Sequence, residues 1–317
     1  MDTNVLLTLV NENYSVRGER IRLHRQSAGR VYYIDSPEGR KVLKLFRPTL
    51  TKEALQSARI MRYLDDRGFP VARIIQTDSG HSHIAVDRPE GACMAILYEF
   101  AKGRNIGFLH RWRSGKQPLI HPKAAQLGES VGRMHRLMDE YPGEIAHKGK
   151  ARYIDDFIFV LRRDGYDPGK IRDLEEYGNE LWAMVEPLPA GFCHGDMHTG
   201  NTAYHGGVFT WMDFDRASVS RPAIDVGWLS DGTDFNHYDE GAFDRSRRLF
   251  DALYEGYSRE RPMADAEIAA VLPAVAIIHY DLFGEFLTAW GETARPASID
   301  EQHGWLMHWR EACTKAK

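Results

Sequence analysis

The chain has little cysteine: three residues in 317, at Cys93, Cys193 and Cys313. They are odd in number and far apart, so neither a disulfide framework nor a CxxC metal or redox motif can be drawn from them. An excess of positive charge is also missing. Lys and Arg total 41 against 45 Asp and Glu, a net charge of −4. No overall field exists to release counterions from a polyanion, and no nucleic-acid partner is expected. The longest apolar-rich stretch, Ile268 to Tyr280, falls short of the roughly 20 residues a bilayer helix needs and contains Pro273, so no membrane partner is expected either. Met1-Asp2-Thr3-Asn4 carries neither the basic region nor the apolar core of a signal peptide, which leads to the expectation of a cytoplasmic protein. Internal repeats and low-complexity segments are lacking.

What is present suffices for a core. Hydrophobic residues make up 43% and aromatics 11% of a length that suits one large or two small domains. The first hundred residues read as strands with one helix. Arg20 to Gln26 alternates as a half-buried strand does. Ser27-Ala28-Gly29-Arg30 reads as a turn, Val31 to Ile34 as a β run, and Ser36-Pro37-Glu38-Gly39 reverses the chain into Lys41 to Phe46. Leu55, Ala58, Met61 and Leu64 then mark a helix that stops at Gly68-Phe69-Pro70, and Ala95 to Phe100 is a further strand ending at Lys102-Gly103.

After Gly103 the periodicity is helical. Helices are predicted from Pro122 through Leu137, from Ile171 to Val185, and from Phe243 to Tyr257, with a short β passage from Asn201 to Phe214 folded about His205-Gly206-Gly207. A β-rich lobe, a connector and a helical lobe make an α+β plan of two lobes. The expected divisions are 1–98, a hinge at 99–103, and 104–317.

The densest polar cluster is Cys193-His194-Gly195-Asp196-Met197-His198-Thr199-Gly200-Asn201, followed by Trp211-Met212-Asp213-Phe214-Asp215. A hairpin between the two would bring Asp196, Asn201 and Asp213 towards one point. One carboxylate to accept a proton from a hydroxyl, with an amide oxygen and a second carboxylate for Mg²⁺, suits phosphoryl transfer. The upstream strand offers Lys44, an ammonium able to neutralise phosphate oxygens.

HGDMHTGN followed by MDFD resembles the catalytic-loop and metal-binding signatures of the aminoglycoside phosphotransferase and choline kinase-like family. The resemblance covers most of the chain. Val42-Leu43-Lys44 is similar to the family's nucleotide-lysine strand, Leu97-Tyr98-Glu99-Phe100 with Gly103 to its hinge, Met134-His135 to the end of its central helix, and Pro222-Ala223-Ile224-Asp225 to the Asp beyond its metal segment.

The resemblance implies a protein-kinase-like fold and an ATP- and Mg²⁺-dependent kinase acting on a small-molecule hydroxyl. It implies Asp196 as catalytic base, Asn201 and Asp213 as metal ligands with Asp215 near a second metal, Lys44 on the α/β-phosphates, and the backbone of Glu99, Phe100 and Ala101 on adenine. Asp225 would brace the catalytic loop through backbone N–H groups. A protein serine/threonine kinase like the bacterial stress-response kinase A, which shares these signatures, is the alternative.

Two departures accompany the resemblance. GxGxxG is absent, and only Ser27-Ala28-Gly29-Arg30 stands between the first strands, with Gly29 its single glycine. The position of the glutamate that pairs with the lysine holds Ser57, so either Glu53, one turn earlier, takes that role or Lys44 lacks this partner. For the acceptor, Asp231, Asp234 and His198 are the candidate contacts; acidic Asp231 and Asp234 would attract a cationic amino alcohol or amino sugar. The basic stretch Arg104, Arg111, Arg113 and Lys116 reads as a solvated loop or as an anion contact.

Overall fold

A computed structural model describes residues 3–26, 29–87, 91–106, 123–235, 237–288 and 296–316. Ser27, Ala28, Arg111, Arg113, Lys116 and Pro122 lie outside the described residues. The chain divides into two compact units, Met1–Ile106 with Gly200–Arg216, and Gly107–Thr199 with Ala217–Lys317.

The first unit is built on an antiparallel sheet in the order β1-β2-β3-β6-β4, from β1 (Arg20–Gln26), β2 (Gly29–Asp35), β3 (Lys41–Phe46), β4 (Ile74–Ile75) and β6 (Cys93–Glu99), with β5 (Ile84–Val86) also on β6. Alternation assigns the two faces. Tyr32 and Ile34 of β2, Leu43 and Leu45 of β3 and Ala95 and Leu97 of β6 form a buried core with Leu6 and Val10 of helix α1 (Thr3–Asn13). Each Leu, Ile or Val of this core contributes about 1.5–3 kcal/mol by leaving water. The opposite parity, Val31, Tyr33, Val42 and Lys44, lines a cavity. Helix α1 is omitted by the sequence reading, as are the short strands β4 and β5. Only Leu6 and Val10 of its 11 residues are buried, too thin a stripe to stand out as a helical period.

Helix α2 (Thr51–Asp66) follows β3 and ends at Gly68, whose φ of +65° favours glycine. Ala54, Ala58, Met61 and Leu64 are its buried stripe. The hairpin of β8 (Thr202–His205) and β9 (Val208–Trp211) turns on Gly206 and Gly207, both at positive φ (56° and 87°), as a two-residue turn of this twist requires. It is tied to the rest of the unit at two points. Trp211 donates its amide to the Pro70 carbonyl (2.9 Å) and accepts from Ala72 (2.8 Å), while Tyr204 donates its amide to the Arg104 carbonyl at 2.9 Å. At Gly103 a Cβ would stand 2.4 Å from the Tyr204 carbonyl oxygen, so glycine is required there by that approach.

The second unit is helical: α3 (Lys123–Met138), α4 (Asp156–Arg163), α5 (Pro168–Val185), α6 (Pro222–Leu229), α7 (Ala242–Glu260), α8 (Asp265–Thr288) and α9 (Pro296–Lys315), with β7 (Gly191–Cys193) paired to β10 (Ser218–Ser220). Helix α5 begins where Asp167 caps the amides of Gly169 and Lys170. Helices α3 and α7 approach through glycine. A Cβ on Gly128 would lie 1.8 Å from the Leu253 carbonyl oxygen, and one on Gly256 would lie 1.7 Å from that of Ala125. This closeness sets His135 of α3 against Tyr257 of α7.

Helix α8 corrects the expectation of a short apolar stretch. It runs 24 residues to Thr288 with Pro273 inside it, and by length and composition it could cross a membrane. Seventy-two per cent of its apolar window is buried within the protein, where it packs on α4, α5 and α6.

Candidate active site

In the first unit a cavity of about 290 Å³ opens on the lysine face of the sheet. Its walls include Val31 and Tyr33 of β2, Val42 and Lys44 of β3, Tyr98 of β6, the segment Glu99-Phe100-Ala101, and Asn201 and Asp213 from either side of the hairpin. The hairpin closes on itself by pairing Thr202 with Trp211, and the Met212 amide donates to the Asn201 carbonyl at 3.0 Å. Asn201 and Asp213, twelve residues apart in the chain, therefore share one wall.

Lys44 is the centre of charge. Its Nζ lies 2.6 Å from Asp213 Oδ1 and 2.6 Å from Asp215 Oδ2, with 15% of its side chain exposed. Burial pulls the ammonium down, but Asp213 and then Asp215 outweigh it and hold Lys44 above its ordinary value. Burial dominates at Asp215 and pushes its carboxyl up to about 6, against the pull of Lys44. Asp213 has φ +65°, the only positive φ at a non-glycine among the described residues. Such a conformation persists only where surrounding structure imposes it, here at a residue aimed into the cavity.

These residues fit a divalent metal. Asp215 Oδ1 is buried with no hydrogen-bond partner among the described residues, Asp213 is 38% exposed towards the cavity, and the amide-bearing Asn201 is buried. An oxygen-lined pair of carboxylates with one amide suits a hard cation that keeps waters and phosphate oxygens as its other ligands.

Of the two alternatives for the lysine's partner, Glu53 is exposed in the first turn of α2 and is not among the contacts of Lys44. Buried Ser57 lies close enough to Asp215 for its hydroxyl to favour the ionised carboxyl. Asp213 and Asp215 occupy the ammonium instead.

At the end of β6, the Glu99 amide is already used, donating to the Arg73 carbonyl at 2.8 Å. The Glu99 carboxylate is held by Lys41 Nζ at 2.8 and 2.9 Å. Lys41 is buried on the parity of Leu43 and Leu45, and the sequence reading missed it, although a charge on the apolar face of a strand signals a buried partner. Tyr98 closes the inner wall, its phenol pushed up by burial. Gly29 begins β2 where a Cβ would stand 2.7 Å from the Leu45 carbonyl oxygen, so its role is to let β2 lie on β3.

The second unit carries the HGD segment. Gly195, at φ +75°, turns the chain after β7. Asp225 of α6 accepts the amides of His194 (2.5 Å) and Gly195 (3.1 Å). His135 Nε2 stands 3.2 Å from the same carboxylate, and its Nδ1 is 2.9 Å from the Tyr257 hydroxyl. Tyr257, His135 and Asp225 are each about 1% exposed. Asp225 thus braces the loop through backbone N–H groups. Asp196 follows, 23% exposed, with His198 Nε2 3.5 Å from its carboxylate. His194 is fully buried, as a structural histidine is.

Asp231 and Asp234 follow the end of α6. The Thr233 amide donates to Asp231 Oδ1 at 2.9 Å, and His279 Nε2 of α8 lies 3.6 Å from its Oδ2. The side-chain amide of Gln302 sits 3.0 Å from His279 Nδ1, which assigns the imidazole hydrogen to Nε2, facing the carboxylate. Burial pushes Asp231 up, but His279 and Thr233 outweigh it and keep it below the usual carboxylate range. Phe235 stacks on the His279 ring with centroids 4.7 Å apart. Asp234 is half-buried in the same loop.

The first unit holds a largely buried lysine between two carboxylates, and the second an HGD segment braced by Asp225, the kinds of group that phosphoryl transfer uses. The model of the phosphotransferase enzyme family matches residues 20–265. The chain belongs to this family, and it is a kinase that phosphorylates a hydroxyl.

A homoserine kinase of Caulobacter vibrioides is 26% identical over 278 residues, covering 84% of this chain and 81% of its own length. Among solved structures, the amicoumacin kinase hAmiN, in complex with AMP-PNP, Ca²⁺ and Ami, aligns with a TM-score of 0.76 at 20% identity, covering 98% of this chain and 94% of that one. A microcompartment-associated aminopropanol kinase aligns with a TM-score of 0.73 at 15% identity, covering 97% and 95%. The fold is the protein-kinase-like one that the signatures imply, with an antiparallel-sheet lobe and a helical lobe.

Proposed function

We propose that the chain transfers the γ-phosphoryl group of Mg·ATP to a hydroxyl of an amino alcohol, a sugar or an aminoglycoside-like compound in the cytoplasm. The observation that carries this reading is Lys44 between Asp213 and Asp215, in a cavity that Asn201 and the Glu99–Ala101 segment also line. Residues 1–98 act as the nucleotide lobe, 99–103 as the hinge, and 104–317 as the lobe of the catalytic loop and acceptor.

The adenine lies against the hinge, where the Glu99 amide is already bonded, so the amides of Phe100 and Ala101 are the ones left for it. Lys44 contacts the α/β-phosphates, and Asn201, Asp213 and Asp215 hold the metal, which supplies neutralisation of the developing phosphate charge. Asp196 accepts the proton of the acceptor hydroxyl as its oxygen bonds to the γ-phosphorus and the bond to the β-phosphate bridging oxygen breaks, releasing ADP. Asp231, kept ionised by His279, with Asp234 and His198, recognises the acceptor. The activities of the similar homoserine and aminopropanol kinases support an acceptor that carries both an amine and a hydroxyl.

The test is transfer of labelled γ-phosphate from Mg·ATP into a pool of amino alcohols, sugars, nucleosides and aminocyclitols, with a generic protein substrate alongside. Label in a small molecule supports the reading. Label only in protein replaces it with the protein kinase, and no label in either removes it.

A further inference from the structure

The residue that follows the odd step in β1 is a cation whose side chain has no partner among the described residues. β1 pairs with β2 as Arg22 to Tyr33 and Leu23 to Tyr32, and then Arg25, not His24, pairs with Val31. His24 is the extra residue of a β-bulge. In a regular strand His24 would face Val31's side of the sheet and Arg25 would turn away from the cavity. The bulge instead sets both on the cavity side. The His24 ring stacks on Tyr33 with centroids 4.2 Å apart and planes at 20°, and His24 and Arg25 both line the cavity that holds Lys44.

The register places Arg25 along the cavity. Arg25 pairs with Val31, and Val31 pairs with Lys44. The two cations therefore share one row of the sheet, two strands and about 10 Å apart. The next row, Tyr33, Val42 and Tyr98, leads towards the hinge. Arg25 thus stands level with the phosphate end of the cavity, not the base end.

Charge gives that position a use. Lys44 is matched by Asp213 and Asp215, so the three groups sum to −1 before any metal. One divalent ion brings the sum to +1, against four negative charges on a triphosphate. The sequence also lacks the glycine-rich loop whose backbone amides would share that charge. Arg25 is exposed, and its side chain makes neither an ion pair nor a hydrogen bond among the described residues. Its guanidinium fork is suited to phosphate oxygens.

We propose that Arg25, turned into the cavity by the bulge at His24, is a second cation for the terminal phosphates of the nucleotide. This rests on the reading of the cavity as a nucleotide-donor site.

The test measures binding of Mg·ATP, Mg·ADP and adenosine to the full-length wild-type, Arg25→Gln and Arg25→Lys proteins, with a melting curve for each variant. The inference expects Arg25→Gln to weaken Mg·ATP at least tenfold and Mg·ADP less, to leave adenosine within twofold, and Arg25→Lys to recover most of the loss. Wild-type-like Mg·ATP binding by a folded Arg25→Gln protein overturns the inference and leaves the donor reading standing. Equal loss for ATP and adenosine overturns it as well, because Arg25 would then act at the base or through the fold. Failure of the wild-type protein to bind any of the three overturns both.

Discussion

Asp225 holds the backbone of Gly195: its Oδ1 accepts the Gly195 amide at 3.1 Å across 30 positions of sequence, while Oδ2 accepts that of His194 at 2.5 Å. The carboxylate reaches a turn whose φ of +75° favours glycine, and it is itself held by His135, which Tyr257 orients from α7. The close approach of α3 and α7 at Gly128 and Gly256 is thereby connected to the placement of Asp196, one residue beyond the braced turn.

Replacing Asp225 with Asn keeps the shape but sets one N–H₂ against backbone N–H donors. An orphaned buried donor costs about 1–3 kcal/mol of stability, and an ångström of displacement at the loop costs roughly a hundredfold in turnover. The expected outcome for Asp225→Asn is a lower melting temperature and a fall in kcat with little change in the KM for ATP. An unchanged kcat in a destabilised protein would separate the bracing from catalysis.

Asp215 gives the site a pH dependence with a definite sign. Its carboxyl titrates near 3.8 when unfolded and about 6 in the fold, because burial disfavours the charge. Between those values the folded protein binds the additional proton. This group's contribution to stability is therefore largest at low pH and falls as pH rises through the window. Metal-dependent nucleotide binding should run the opposite way, strengthening as Asp215 ionises and levelling off above about pH 7. Thermal shifts by Mg·ATP measured from pH 5 to 8 check both trends, and Asp215→Asn should flatten the lower arm of each.

Much of this was legible in the sequence, for physical reasons. The paired turns at Ser36–Gly39 and Gly206-Gly207 demand glycine conformations, so the strands on either side could be placed from turn chemistry alone. Asn201 and Asp213 could be expected together because a tight hairpin leaves its two ends adjacent. Helix α1 was not legible because it buries only Leu6 and Val10, and the bulge at His24 was not because nothing in Arg22-Leu23-His24-Arg25 distinguishes a bulge from alternation. Lys44's partners were equally hidden: the contacts with Asp213 and Asp215 span 169 and 171 positions, and only the folded hairpin brings them within reach.

Glu53 supplies a negative prediction. Its carboxylate is exposed and Lys44 is already bonded to two others. Glu53→Gln should therefore leave the KM for ATP within about twofold of wild type, since an exposed charge away from the site contributes on the order of 0.5 kcal/mol or less. A tenfold rise would show that Glu53 reaches the lysine once nucleotide is bound.

The measurement closest to the central claim is single-turnover phosphoryl transfer from Mg·ATP by wild-type and Asp196→Asn proteins, with Mg·ATP affinity determined on the same samples. The account predicts a loss of roughly 10²- to 10⁴-fold in transfer with affinity held within about threefold, because Asp196 meets the acceptor hydroxyl and not the nucleotide. Transfer at the wild-type rate by Asp196→Asn would contradict it.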